Sequence, residues 1–278
     1  MDLRIKNKVA LITGGAGTLG LATARCFLEE GAISVMLDLP SRSSDQAVAA
    51  VLAEYPERAA FVELNLADAG SISKAVGDVL EKFQSIHFIV NNAATFHFSP
   101  VGDWLNNEPL DTHYAVGLQG PVRLLREAWN RCPVALSGSV VNVSSVAGHV
   151  GEPNAFAYTP IKAAQKGLTL SCAQEMAKYG GWAVAISPGH IWSAVHKSRA
   201  DAAGLSQTEY ERVMPNIQST MHGRFLEASE VARWIVIAAS PLSKALTGQD
   251  LHVTLGIEAG GFNRAYDTGV PTSDGNVS

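Results

Sequence analysis

Along the chain, short runs of consecutive apolar residues alternate with longer stretches in which apolar residues recur every three or four positions. The short runs read as buried strands: Val9–Thr13, Ile33–Asp38, Ala60–Leu64, Ile86–Val90, Ser139–Val143 and Ala183–Ser187. The longer stretches predict helices over Leu19–Glu30, Asp45–Glu54, Ile72–Phe83, Pro121–Arg131 and Ala163–Tyr179, with Ser71 as the N-cap of the third. Strand–helix alternation of this kind implies parallel strands joined by right-handed crossovers, hence an α/β fold with a doubly wound parallel sheet. One span breaks the rhythm. Trp192–Gly223 is long and polar and carries Met214 and Met221, so it reads as an insertion able to cover a site. Residues 1–260 form a single domain in this reading. The tail 261–278, rich in Gly, Thr, Ser and Asp, is expected to be flexible or bound to a partner.

Composition narrows the function classes. A chain of 278 residues that is 47% hydrophobic and 17% charged can bury a large core. Its net charge of −5 and scattered Lys and Arg give no footprint for nucleic acid. The N-terminal apolar run, "VALIT", is too short for a signal segment or a membrane span. Cys26, Cys132 and Cys172 are too dispersed for a disulfide framework or a CxxC-type metal site, and a reducing cytoplasm is the simplest setting.

The stretch "TGGAGTLG", residues 13–20, lies between the first predicted strand and the first predicted helix. Backbone N–H groups and the positive end of a helix dipole can hold a pyrophosphate there. Gly15, Gly17 and Gly20 fit G-x-G-x-x-G; Thr13, Gly14 and Gly20 fit T-G-x-x-x-G-x-G, with Thr18 where a glycine is expected. Asp38 ends the second strand, 18 residues after Gly20. A carboxylate at that place binds a ribose 2′-hydroxyl and repels a 2′-phosphate, which selects NAD over NADP. No Lys or Arg lies in the glycine loop, and Arg42 is four residues beyond Asp38.

Further motifs follow in order: "NNAA" at 91–94, "NVSS", "YTPIK", "SPG", "GRFLEASEVA" and "LTGQDL". With the glycine loop, these make residues 6–256 resemble the short-chain dehydrogenase/reductase family. The resemblance implies a Rossmann-like sheet of about seven strands with helices on both faces. It selects the second glycine frame and makes Thr18 a departure. It implies a nicotinamide cofactor, NAD, held by Gly14, Gly17, Thr18, Leu19, Gly20, Asp38, Asn65, Leu66, Asn92, Ala93, Tyr158, Lys162, Pro188, Gly189 and Ile191. It also implies a homo-oligomer, as a tetramer.

The family's Ser, Tyr and Lys fall on Ser145, Tyr158 and Lys162. Residues i and i+4 share a helix face, so Tyr158 and Lys162 can enter one site. Ser145 lies 13 residues before Tyr158, just beyond a strand, where α/β sheets bind ligands; Ser144 fits that spacing less well. Hydride transfer to a carbonyl leaves an alkoxide that must gain a proton, and the reverse reaction needs a base. A phenol ionises near ~10. The ammonium of Lys162 is expected to lower that value, and Ser145 to orient the substrate oxygen. Several positions depart from the family. Gly117, in "VGLQGP", stands where the family has an Asn that links the Lys to solvent through a water. Ala94 replaces the glycine of N-N-A-G, Val184 replaces an Asn, and "VTLGI" replaces V-D-G-G.

Phe96, His97, His149, Phe156 and Trp192 are the candidate substrate-pocket walls, and an aromatic wall suits a cyclic or apolar alcohol or ketone. His97 and His149 are too far apart in sequence to read as a metal site, and no metal is expected. The leading expectation is an NAD-dependent oxidoreductase that interconverts a secondary alcohol and a ketone. Thr18 and Gly117 motivate an alternative, a nucleotide-binding relative with impaired catalysis. A non-redox lyase or isomerase is the third reading, since a fold does not determine chemistry.

Overall fold

The structure is a computed structural model in which residues 2–104 and 106–260 are described. The tail expected at 261–278 lies outside the described residues. Seven parallel strands form one sheet in the order β3-β2-β1-β4-β5-β6-β7. They are β1 (Val9–Thr13), β2 (Ile33–Asp38), β3 (Ala59–Glu63), β4 (Phe88–Asn91), β5 (Ser139–Val143), β6 (Trp182–Pro188) and β7 (Asp250–Val253). The order reverses between β1 and β4, and ligands bind beyond the carboxyl ends of the strands at such a switch point.

Both faces of the sheet are covered, so the central strands β1, β4 and β5 are buried at every position and mostly apolar rather than alternating. One face buries Ala10, Ile12, Met36 and Val184 against helices α1 (Thr18–Glu29), which supplies Phe27 and Leu28, and α2 (Gln46–Glu54). The other face buries Leu11, Val35, Ile89 and Val140 against α3 (Ala69–Phe83) and against a later helix that contributes Leu124 and Leu125. Each fully buried Leu, Ile or Phe contributes roughly 1.5–3 kcal/mol. Helix α3 starts three residues before the predicted position. Its N-cap is Asp68, whose carboxylate accepts the Gly70 N–H at 2.8 Å, while Ser71 Oγ instead accepts the Asn65 N–H.

Beyond β4, α4 (Glu108–Tyr114) runs through a π-helical stretch, Ala115–Gln119, into α5 (Gly120–Arg131). A short α6 (Ala147–Val150) leads from β5 towards α7 (Tyr158–Ala177). Helix α7 begins five residues before the predicted Ala163, which brings Tyr158 onto its first turn. Pro160 does not stop it, because the missing N–H falls in the first turn, where it would have no intrahelical acceptor.

The insertion folds as α8 (Ala194–Ala202), α9 (Gln207–Val213) and α10 (Pro215–Gln218) around a small core of its own, with Ala200, Tyr210, Ile217 and Phe225 buried. A parallel bridge between Ile191 and Leu226 closes its neck. Helix α11 (Ala228–Ala239) completes the first face beside α1, and α12 (Ile257–Gly260) follows β7. Among the described residues no helix is long and apolar enough to cross a membrane.

Candidate active site

The glycine turn is dictated by sterics. Gly14 has φ +65°, a left-handed conformation suited to glycine. A Cβ at Gly20 would stand 2.1 Å from Gly14 O, whereas one at Gly17 would be 3.3 Å away. Gly14, Gly15 and Gly20 are therefore required, since a Cβ at Gly15 would also stand 2.7 Å from Met36 Cα, and Gly17 is not. Thr18 opens α1 with its side chain exposed, and its Oγ1 accepts the Ala194 N–H from the start of α8 at 3.4 Å. The departure at Thr18 thus joins the turn to the insertion. Leu19 packs on the core.

Around this turn, Asp38 is half-buried at the end of β2. Its Oδ2 accepts the Ala16 N–H at 2.9 Å and its Oδ1 the Leu39 N–H at 2.8 Å. Arg42 reaches back to Ala16 O at 3.0 Å and pairs with Asp45, so a cation also borders this corner. Asn92 donates through Nδ2 to Thr13 O and Gly14 O, and the N–H groups of Asn92 and Ala93 both donate to Thr13 Oγ1. These bonds fasten the end of β4 to the turn. Asn65 caps the loop after β3 by accepting the Ala67 N–H, and Leu66 is buried against Gly120. At the end of β6, Pro188 O accepts the Val146 N–H, Gly189 N–H donates to Val253 O, and Ile191 makes the bridge at the neck of the insertion.

Ser145, Tyr158 and Lys162 come together beyond the carboxyl end of β5. The Ser145 hydroxyl hydrogen-bonds the Tyr158 phenol, and its Oγ also accepts the Ala147 N–H. Ser144 points elsewhere and donates to Lys162 O at 2.7 Å, a structural contact. Lys162 Nζ lies 5.6 Å from the Tyr158 ring centroid. It donates to Val143 O at 2.7 Å and to Gln165 Oε1 at 3.4 Å.

The expected effect of Lys162 on Tyr158 is not what the geometry produces. Burial pushes the phenol up to about 12; the Ser145 hydrogen bond acts against that, and the Glu152 charge adds to it. Burial also holds Lys162 down at about 7, so its own charge is weakened where it was expected to act. Desolvation of two buried neighbours outweighs their mutual electrostatics.

Gln165 is the functional candidate the motif reading missed. It is buried on the Lys162 face of α7, and its Nε2 donates to Gly117 O at 3.1 Å. Lys162 is thus tied through Gln165 to the π-helical stretch. The space that a side chain at Gly117 would take is filled by Ile161, whose Cγ2 would lie 2.4 Å from a Cβ there. Beside them a void of about 10 Å³ is bordered by Gly117, Ile161, Lys162, Tyr158 and His113, at the lower limit for one water.

The aromatic wall forms in part. Phe96 and Phe98 lie over Tyr158, with ring centroids 5.5 and 5.4 Å away. Phe98 carries no motif and was not anticipated. Buried His113 meets Tyr158 edge-on at 6.3 Å. Phe96, His97 and His113 border a cleft of about 360 Å³. His97 is held by Ser99 at 2.8 Å. Phe156 is exposed. Trp192 packs on Tyr210 and Phe225 inside the insertion, and His149 turns to Ser187 and Asp250. Neither contributes to the wall around Tyr158.

A profile described as "Enoyl-(Acyl carrier protein) reductase" matches residues 14–258. The chain is 31% identical over 256 residues to galactitol 2-dehydrogenase of Agrobacterium fabrum, covering 90% of this chain and 97% of that protein. It is 30% identical over 266 residues to 3-alpha-(or 20-beta)-hydroxysteroid dehydrogenase of Mycobacterium bovis, covering 94% and 93%. The crystal structure of Cj0485 dehydrogenase superposes with a TM-score of 0.82 at 28% identity, covering 92% of this chain and 96% of that one. The chain belongs to the short-chain dehydrogenase/reductase family. Members of this family are oxidoreductases that use nicotinamide cofactors, and the matched relatives act on CH–OH groups. The motif-bearing segments of this dehydrogenase/reductase follow the carboxyl ends of β1, β2, β4, β5 and β6, the edge where its sheet order reverses.

Proposed function

We propose that the protein is an NAD-dependent oxidoreductase that interconverts a secondary alcohol and a ketone, with Tyr158 as general acid and base. The observation that carries this reading is the convergence of Ser145, Tyr158 and Lys162 under an aromatic cover beside the glycine turn. The turn suits a dinucleotide: it is wound so tightly that a Cβ at Gly20 would meet Gly14 O, and it opens helix α1, whose positive end favours a pyrophosphate. Gly14 to Gly20 would hold the pyrophosphate, Asp38 the adenosine ribose, and Tyr158 and Lys162 the nicotinamide ribose. The half-buried carboxylate of Asp38 favours a ribose hydroxyl over a 2′-phosphate, which supports NAD. The cofactor supplies or accepts the hydride.

The chain's own residues do the rest. Ser145 donates a hydrogen bond to the substrate oxygen and aligns it with the Tyr158 hydroxyl. In reduction Tyr158 gives its proton to the nascent alkoxide, and in oxidation its phenolate takes the alcohol proton. A phenol held near 12 in the free protein stays protonated at neutral pH but is a weaker acid than an ordinary tyrosine, so bound groups must lower it for either direction to run efficiently. Lys162 sits one helical turn away with its charge poised near neutrality, where a bound diphosphate or ribose can draw it into the protonated form. Gln165 positions Lys162. Phe96 and Phe98 suit a cyclic or apolar substrate face.

The chain acts as one domain whose insertion, residues 192–223, covers the site. It works in the cytoplasm as a homo-oligomer, a tetramer, through exposed apolar residues such as Val122 on α5 and Leu170 on α7. The deciding experiment is Tyr158→Phe. NAD affinity, followed by fluorescence titration, is expected to stay within about threefold, while turnover on a panel of alcohols and ketones falls by roughly 10² to 10⁴. Turnover that survives the substitution would remove Tyr158 from the reaction.

A further inference from the structure

His149 closes α6, four residues beyond Ser145, and its Nε2 lies 2.8 Å from Asp250 Oδ2 on the edge strand β7. Residues two apart on a strand share a face, which puts His252 beside Asp250. His252 Nε2 is 3.9 Å from the same oxygen, and the two imidazole rings are 4.2 Å apart. One donor atom from each of the three residues falls within 4.8 Å of the others.

The surrounding groups hold these donors in place. Ser187 Oγ donates to Asp250 Oδ1 at 2.8 Å and leaves Oδ2 towards the rings. Glu258 Oε1 takes His252 Nδ1–H at 2.5 Å, and Thr254 Oγ1 donates to the other Glu258 oxygen at 2.7 Å. A carboxylate on Nδ1 fixes the tautomer of a neutral ring and presents Nε2 as a lone pair, the outer arrangement that metal-bound histidines use. Independently, the Asp250 side chain is only 6% exposed, yet Oδ2 accepts no hydrogen bond. The His149 nitrogen is near it but off line; its bonded partner is Ser187 Oγ at 3.1 Å. This carboxylate oxygen therefore faces two imidazole nitrogens without an in-line hydrogen bond, a position open to a metal ion.

We propose that His149, Asp250 and His252 form a binding site for a divalent transition-metal ion of the zinc class. Two imidazole nitrogens and one carboxylate oxygen suit zinc; magnesium and calcium take oxygen sets. With metal–ligand bonds of about 2.0–2.2 Å, tetrahedral ligand atoms stand roughly 3.3 Å apart, so small side-chain rotations close the present spacing. The fourth position is left to water. Binding displaces the proton on His149 Nε2 while Ser187 keeps its bond to Asp250. The ion would clamp α6, and with it the chain that carries Ser145, to β7 and through Glu258 to α12.

The test uses the full chain, freed of metal by a chelator, titrated with zinc chloride in a calorimeter, and separately loaded with cobalt(II). One zinc per chain is expected, with cobalt visible bands of tetrahedral intensity. His149→Ala, His252→Ala and Asp250→Asn should each weaken zinc by at least about tenfold, and His222→Ala should leave it unchanged. Absence of a stoichiometric site overturns the proposal. So does zinc affinity that is equal in all four variants, or a cobalt spectrum of weak octahedral type. The cobalt spectrum of the unaltered chain decides the matter even if a variant fails to fold.

Discussion

Replacing Gly117 with Ala should destabilise this protein, although the same change in an ordinary helix stabilises it. Gly117 is buried in the π-helical stretch that joins α4 to α5. In a helix interior, Gly to Ala gains roughly 1 kcal/mol of propensity. Here the new Cβ would stand 2.4 Å from Ile161 Cγ2. That methyl belongs to a β-branched residue on α7 whose χ1 has essentially one helical rotamer, so it cannot swing aside cheaply. Overpacking of this kind costs about 1–3 kcal/mol, leaving a net loss of about 0–2 kcal/mol. For a domain of this size, a melting temperature lower by about 2–4 °C per kcal/mol follows. A double-mutant cycle isolates the cause. In an Ile161→Ala background the clash is gone, and Gly117→Ala should then stabilise by up to about 1 kcal/mol, giving a coupling of about 1–3 kcal/mol between the two positions. Thermal and urea unfolding of the four chains at pH 7 read it directly. If Gly117→Ala stabilises the parent chain as much as the Ile161→Ala chain, Ile161 is not what keeps residue 117 bare.

Three other outcomes follow from the site. Burial holds Lys162 at about 7 against 10.5 in the open chain, so between those values the unfolded state binds the extra proton and stability rises with pH. Lys162→Met should therefore raise the melting temperature most at pH 7 or below and hardly at all near pH 10, with an upper bound of roughly 5 kcal/mol; a gain independent of pH would exclude burial of the ammonium as its cause. Asp38→Asn should strengthen NADP binding by about tenfold or more and weaken NAD, because Arg42 already borders that corner through Ala16 O; an unchanged preference in cofactor titrations would count against Asp38 as the selector. Thr18→Gly should change NAD affinity by less than about threefold, since the Thr18 oxygen is engaged with Ala194 rather than turned into the glycine turn. A large gain would mark Thr18 as an obstruction and favour the reading of impaired catalysis.

The parts of this molecule that were legible in its sequence are those the backbone alone enforces. Gly14 is needed by a positive φ and Gly20 by a carbonyl that a Cβ would meet at 2.1 Å, so the turn announces itself whatever surrounds it. Six strands stand out because both faces of the sheet are covered and the runs are predominantly apolar. The seventh was counted through the family but had no periodicity of its own: β7 is a four-residue edge strand carrying Asp250 and His252. Its polar residues look like loop until their partners on α6 and α12 are in place.

The same division runs through the site. Spacing alone puts Tyr158 and Lys162 on one helix face, but it carries no information on how deeply they are buried, and burial reverses the expected direction of the phenol's shift. His149 follows a strand, as a pocket residue would, yet α6 turns it towards β7 because Gly148 lets that segment sit against the α7 backbone, where a Cβ would be 2.9 Å from Ala163 N. Gln165 matters only because the face of α7 that holds Lys162 also meets the bare backbone at Gly117. Ile161 fills the space that a side chain at Gly117 would take, and Gln165 links Lys162 to the Gly117 carbonyl. A motif search records only the missing residue, so the departure that argued for an impaired enzyme becomes, in three dimensions, an argument that the lysine is still held.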